Sequence, residues 1–328
     1  MPNVRPKNSR IPPLDRFLLT LHSFLSSLLP TAPQHPLEAA RLLLERGIAV
    51  PYSLPLPTED TNWKVSFDKP SDITLVGSWA NKTSVKSKDN KPFGVDLAVE
   101  MPESLFQEKD YLNGRYFHKR AFYLASIAAA VGMKKGGLDV DTFYDSVGND
   151  SRLTTLVLRP RKDGSANDFS KLNAQVRIIP VLPNVSPIPI HRLSPSHSNI
   201  RISTPIPSAS NSQDATPIYN SALLLSLTPK RTLLQTHALQ QICPSFKDGL
   251  TLLRIWANQR GYGAGAKMCV RGFEGLGSWW GGVLGFLVWG EEAGSGKGKG
   301  RKPVGKGVSS YQLFRAALDF LGKQYPIL

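Results

Sequence analysis

The chain has 328 residues, 41% hydrophobic and 20% charged, which gives room for two ordinary domains and excludes a disordered composition. Forty Lys and Arg stand against 25 Asp and Glu, a formal charge of +15 with a pI near 9.8, which suits a polyanionic partner, nucleic acid before acidic protein. Cys243 and Cys269 lie far apart without a metal-binding spacing, and the apolar stretch at 279–290 is glycine-rich and short of the roughly 20 residues of a membrane helix. An intracellular, soluble chain is therefore expected.

Residues 14–29 and 36–47 have helical spacing, the second opened by Pro36 and closed by Gly47. Strands are expected at 73–79 (ITLVGSW) and 94–101 (GVDLAVEM), paired as a hairpin across the polar loop 80–92. A long helix should then run from Ser104, capped by Ser104 with Gln107. Its apolar face is marked by Leu112, Tyr116, Tyr123, Ile127 and Val131, with Gly136 and Gly137 after its end. Further strands are expected at 152–160 and 174–183. Residues 183–217 are rich in Pro and Ser and read as a long, partly extended connection. Beyond it only helices are expected: one from Thr228 and Pro229 to about 242, one capped by Ser245 with Asp248 and ending at Gly261, and one from Ser310 stopped by Gly322.

The sharpest motif is VGSW followed by GVDLAVEMP. Gly77 and Ser78 make a turn before a strand that carries Asp96, the arrangement in which two metal ions support phosphoryl transfer. Such ions sit about 3.5–4 Å apart and need at least two carboxylates between them. Residues i and i+2 of a strand point the same way, about 6.6 Å apart, and the i+2 partner of Asp96 is Ala98. Glu100, about 13 Å along the strand, is too far to share both ions with Asp96. The strand 174–183, the natural source of a third acid, has none, and no Asp or Glu occurs from Phe169 to Gln213. Asp96 therefore reads as a remnant or a local hydrogen-bond acceptor, and no metal site is expected. The run GSGKGKGRK (294–302) has Gly298 after Lys297 where a phosphate-binding loop needs Ser or Thr, and it reads as a solvated basic loop.

The stretches quoted above, with SLFQEKDYLNGRYFHKRAFYLASIAA, VRIIPVLP, ATPIYNSALL, CPSFKDGLTLLRIWANQRGYG, RGFEGLGSWW and SSYQLFRAALDFL in that order, resemble the nucleolar RNA-associated protein (Nrap) family over roughly residues 70–328. The resemblance implies an α/β (α+β) fold. A nucleotidyltransferase-like mixed β-sheet domain would be followed by an all-helical poly(A) polymerase/oligoadenylate synthase-like substrate-binding domain. The expected boundaries are N-terminal helices at 1–50, the nucleotidyltransferase-like domain at 51–183, a connector at 184–216 and the helical domain at 217–328. Family members carry two tandem copies of this pair, so a chain of this length is expected to be a fragment, a truncated gene model or a shortened relative.

By the same resemblance the chain is not an enzyme but a scaffold and RNA-binding component of the small-subunit processome in the nucleolus. Its partners would be pre-ribosomal RNA and processome proteins, with no cofactor, membrane or small-molecule substrate. An active nucleotidyltransferase acting on RNA 3′ ends is the alternative. The degenerate site is Gly77, Ser78, Asp96 and Ala98. On the long helix, Arg115, His118 and Lys119 share one face near Lys109 and Arg120, and these five are the RNA-binding candidates, weighed against a merely solvated face. Tyr116, Phe117, Phe122 and Tyr123 are expected in the core, as is Trp256, with Arg260 at a helix C-terminus.

Overall fold

The computed structural model describes residues 5–86, 91–133, 138–200, 214–262, 277–290, 302–305 and 307–324. Helices α1 (Pro12–Ser26) and α2 (Pro36–Glu45) flank strand β1 (Thr31–Gln34) and are followed by β2 (Val65–Phe67) and β3 (Asp72–Val76). A single helical turn, α3 (Gly77–Ala80), leads towards β4 (Phe93–Glu100) and helix α4 (Arg115–Gly132). Strands β5 (Val140–Ser146), β6 (Thr154–Pro160) and β7 (Ala174–Val181) complete the β-structure. Five helices follow: α5 (Pro217–Leu225), α6 (Thr228–Ile242), α7 (Phe246–Gln259), α8 (Gly277–Trp289) and α9 (Ser310–Gln324). This is the expected mixed α/β sheet followed by helices. Among the described residues no helix is long and apolar enough to cross a membrane.

The main sheet has the order β3-β4-β7-β6-β5, and β1 pairs with β2 in a separate two-stranded ribbon. Strands β5, β6 and β7 run antiparallel in turn, with Val140 opposite Pro160, Ser146 opposite Thr154 and Leu156 opposite Ile178. The sequence reading missed β5. Its VDTFYDS pattern includes two aspartates and lies at the sheet edge, so no strong apolar alternation marks it.

By packing, the chain divides into two compact units, each discontinuous in sequence: residues 8–74 with 97–229, and residues 1–7 with 75–96 and 230–328. In the first, α4 is buried on nearly every side and packs against α2, β2, β6 and β7. Tyr116, Phe117, Phe122 and Tyr123 are all core residues, as expected. The helix starts later than the sequence suggested. Asn113 (φ +52°) and Gly114 (φ +77°) are both left-handed, and a right-handed helix cannot pass through two such residues. Upstream there are only 3-10 turns at Glu103–Leu105 and Glu108–Tyr111, and the capping box is formed by Gln107 and Asp110, not by Ser104 and Gln107.

The second unit has its own core, in which Leu239, Phe246, Leu250, Leu253, Trp280, Leu284, Leu287 and Leu313 interlock, with Trp256 packed against them. The glycine-rich stretch 279–290 forms α8 because close packing favours a missing side chain there. A Cβ on Gly285 would lie 3.0 Å from Leu239 Cδ1. Two expected helix signals are not realised. Ser245 stands at the N-cap of α7, but its hydroxyl donates to the Val308 carbonyl at 2.6 Å and makes no cap bond. Helix α9 runs through Gly322 to Gln324.

The described part of the Pro/Ser-rich segment is pinned. Buried Asn199 donates to the Arg192 carbonyl (2.8 Å) and to Asn220 Oδ1 (2.7 Å). Buried Asn220 in turn holds the Ser194 and His197 carbonyls at 2.7 and 3.0 Å. Gly136, Gly137, Cys269, residues 271–276 of RGFEGLGSWW and residues 294–301 of the basic run lie outside the described residues.

Candidate functional site

At the expected site, β3 ends at Val76 and the backbone turns at Gly77, whose φ of +71° is a left-handed value that favours glycine. The close approach of Asp96 adds a second demand. A Cβ at Gly77 would lie 2.6 Å from Asp96 Oδ2 and 3.5 Å from its Cγ, so the carboxylate rests against the turn backbone. Ser78 is tied down locally: its carbonyl accepts from Thr83 N (2.9 Å) and its hydroxyl receives the Ser84 hydroxyl (3.2 Å). Thr83 and Ser84 are buried, and Arg254 of α7 donates to the Thr83 carbonyl at 2.8 Å. No pattern in the sequence connects residues 83 and 254, so reading it could not find this strut.

Among the described residues, the carboxylates that a two-metal site would need are not assembled around Asp96. Ala98 is fully buried, so position i+2 faces packed side chains. Strand β7, which lies directly beside β4, reads AQVRIIPV and carries Arg177 but no acid. Glu100 accepts from the Ser71 hydroxyl at 2.9 Å, and on β3 Asp72 accepts from Thr74 at 2.6 Å. Among the described residues no three His, Cys, Asp or Glu side chains gather closely enough to hold a metal ion.

The RNA-binding candidates on α4 need correction. Lys109 is exposed and Arg115 half-buried, but His118, Lys119 and Arg120 are 3%, 7% and 3% exposed. They form neither an RNA-facing stripe nor a solvated face. Lys119 Nζ bonds Asp110 Oδ2 at 2.6 Å and the Leu105 carbonyl at 2.9 Å, and Asp110 is itself fully buried. Arg120 donates to the carbonyls of Pro180, Arg152 and Thr154. Burial pulls its guanidinium below the ordinary value, opposed by Tyr116 and Asp150. His118 stacks on Trp63 at 5.5 Å, and its Nε2 lies 3.1 and 3.0 Å from the Ser53 and Pro55 carbonyls, to which it must donate. Burial lowers the His118 pKa, opposed by those two carbonyls. The error is one of periodicity. With apolar residues all round, a charged i, i+3, i+4 pattern does not reveal which face looks outward.

A clear sequence kinship accompanies this arrangement. Residues 33–242 match the family described as Nrap protein domain 1, and residues 245–325 match the Nrap protein PAP/OAS-like domain. The chain belongs to the Nrap family. It is 30% identical to nucleolar protein 6 of Xenopus tropicalis over 325 residues, 97% of this chain and 25% of that protein. It is also 30% identical to U3 small nucleolar RNA-associated protein 22 of Schizosaccharomyces pombe over 304 residues, and 29% identical to the Saccharomyces cerevisiae protein of that name over 328. These alignments cover 90% and 97% of the chain, and 25% and 26% of the relatives. The Nrap chain thus spans about a quarter of the length of the curated relatives it matches.

Three outcomes follow from the geometry. Gly77→Ala adds both left-handed strain, about 1–2 kcal/mol, and a clash with Asp96. Asp96→Ala in the same chain should relieve the clash but not the strain, so urea unfolding of the double variant should be non-additive. Lys119→Met leaves Asp110 buried without its counter-ion and should cost about 3–5 kcal/mol. Lys119→Met/Asp110→Leu should recover part of that loss, read by the same unfolding curves.

The third outcome concerns His118. Its folded-state pKa lies below the ordinary 6.5, so above that pH both states are neutral and stability is unaffected. As pH falls through 6.5 the unfolded chain protonates first, and stability drops until the folded pKa is reached. His118→Gln should therefore show a shallower loss of stability between pH 7 and 5 than the native chain, measured by denaturant midpoints.

Proposed function

We propose that this chain is a non-catalytic scaffold and RNA-binding segment of a nucleolar protein that works with U3 small nucleolar RNA in ribosome biogenesis. Its place would be in the small-subunit processome, with pre-ribosomal RNA and processome proteins as partners. The names of its relatives, nucleolar protein 6 and U3 small nucleolar RNA-associated protein 22, support the setting. The excess of 40 Lys and Arg over 25 Asp and Glu supports a polyanionic partner.

The non-catalytic reading rests on one observation: Asp96 is turned onto Gly77 while its strand partner Ala98 is sealed in the core. Two cations roughly 3.5–4 Å apart need several shared oxygen ligands, and one carboxylate engaged with its own turn is too few. What this geometry retains from a nucleotidyltransferase is a rigid Gly-Ser turn braced by Ser84, Thr83 and Arg254.

A labelled RNA primer incubated with the chain, Mg²⁺ or Mn²⁺ and each nucleoside triphosphate should show no extension. Extension that disappears in Asp96→Ala would instead establish the alternative, an active transferase on RNA 3′ ends.

A further inference from the structure

The edges of the two sheets differ in how they are protected. A sheet edge presents a row of unpaired backbone groups, which folds blunt with short strands, proline, lysine or bulges. In the small ribbon β1 and β2 have four and three residues, β1 carries Pro33, and the register shifts between Thr31 and Gln34. At one end of the main sheet β3 has five residues. At the other end β5 has seven, VDTFYDS, each paired with β6 without a shift. It contains no Pro, Gly or Lys.

The ladder between β5 and β6 fixes which groups are open. The Arg161 N–H donates to the Asp139 carbonyl at 3.2 Å, so 139 and 161 form a bonded pair. Bonded and non-bonded pairs alternate along an antiparallel ladder, which makes 141/159, 143/157 and 145/155 bonded as well. The N–H and C=O groups of Val140, Thr142 and Tyr144 therefore point away from β6, and among the described residues no further strand meets them. Side chains alternate too. Asp139, Asp141 and Asp145 fall on one face, and the other carries Val140, Thr142 and half-buried Tyr144. No cation occurs between Lys135 and Arg152, in a chain of net charge +15. Asp141 pairs with Arg161 at 2.8 Å, whereas Asp139 and Asp145 are exposed and have no ion pair among the described residues.

We propose that β5 is a docking edge for an extended segment of a partner protein, which joins the five-stranded sheet as a sixth strand with alternating basic and apolar side chains. Its backbone pairs with the outward groups of Val140, Thr142 and Tyr144. Its Lys or Arg side chains lie on the face of Asp139, Asp141 and Asp145, and its apolar ones on the face of Thr142 and Tyr144. RNA is the wrong occupant, because an acidic edge repels phosphates. A second copy of the chain is also wrong. Antiparallel pairing of two β5 strands sets Asp139 or Asp141 opposite Asp145, and like charges directly opposite one another are destabilising. This inference rests on the scaffold reading above and supplies it with a protein-binding surface.

The test uses the full chain and two fluorescein-labelled peptides of equal charge, Lys-Val-Lys-Val-Lys-Val-Lys and Lys-Pro-Lys-Pro-Lys-Pro-Lys, with binding followed by anisotropy at 100 mM KCl. The valine peptide should bind about tenfold or more tightly than the proline peptide, which lacks alternate backbone donors. Thr142→Pro removes one outward donor without touching the ladder to β6, and should weaken valine-peptide binding about fivefold. Asp139→Lys/Asp145→Lys should weaken it about tenfold. Glu59→Lys/Asp60→Lys, the same charge change at exposed residues elsewhere in the larger unit, should stay within about twofold of the native chain. Circular dichroism melts check folding, and the exposed Asp139 and Asp145 keep the test decisive if Thr142→Pro unfolds.

Equal binding of the two peptides would overturn the proposal, as would native-like binding by Asp139→Lys/Asp145→Lys. Absence of valine-peptide binding at about 1 mM would do the same. Displacement of the valine peptide by a structured RNA would replace the protein segment with RNA at this edge. Each of these outcomes is separate from primer extension, which decides the non-catalytic reading independently.

Discussion

Three consecutive polar side chains, His118, Lys119 and Arg120, enter the interior on a helix that is buried all round, and each must be satisfied there. A buried charge without a partner costs several kcal/mol, more than a domain can lose at many points. The partners come from separate parts of the larger unit: the loop carbonyls of Ser53 and Pro55, Asp110 with the Leu105 carbonyl, and the carbonyls of Pro180, Arg152 and Thr154. Helix α4 therefore sets the positions of the preceding loops and of the ends of β6 and β7. A second polar centre works the same way around Tyr219, whose hydroxyl donates to the Tyr111 carbonyl and accepts from Gly114 N. That pair fixes the left-handed entry to α4.

The Gly-Ser turn is held by demands of local geometry. Glycine remains necessary at 77 because of backbone handedness and because Asp96 occupies the space of a Cβ. Those demands are local and do not involve a metal. The Asp96 carboxylate, which in a transferase would share a cation with a second acid, is here part of the turn's packing. Ala98 belongs to the hydrophobic core, so the strand serves the fold first.

The charge asymmetry gives the two units different characters. In the larger unit acids and bases nearly cancel, and several cations are structural. The smaller one has a large apolar helix core, and its segments carry 20 Lys and Arg against 7 Asp and Glu. Charge close to balance favours packing against protein, while a surplus of one sign draws a polyanion by counterion release.

Much of this was legible from residue order. Alternation marked β4, β6 and β7, helical spacing marked α1, α2, α6, α7 and α9, and the Ala98 position announced the missing acid. The family resemblance was legible for the same reason, since it is carried by contiguous motifs. Three things depended on contacts between distant residues: which way α4's cations point, that Arg254 braces residue 83, and that residues 75–96 pack with the helices after 230. The amphipathic pattern of α4 could not specify an outward face, because a helix covered on every side has none. The sequence by itself determined many of the elements, the overall charge and the absence of an acid at position 98, all of which follow from composition and short-range spacing. Only the tertiary structure decided which cations are consumed in the core and which unit keeps the surplus, because burial and pairing are set by residues far apart in the chain.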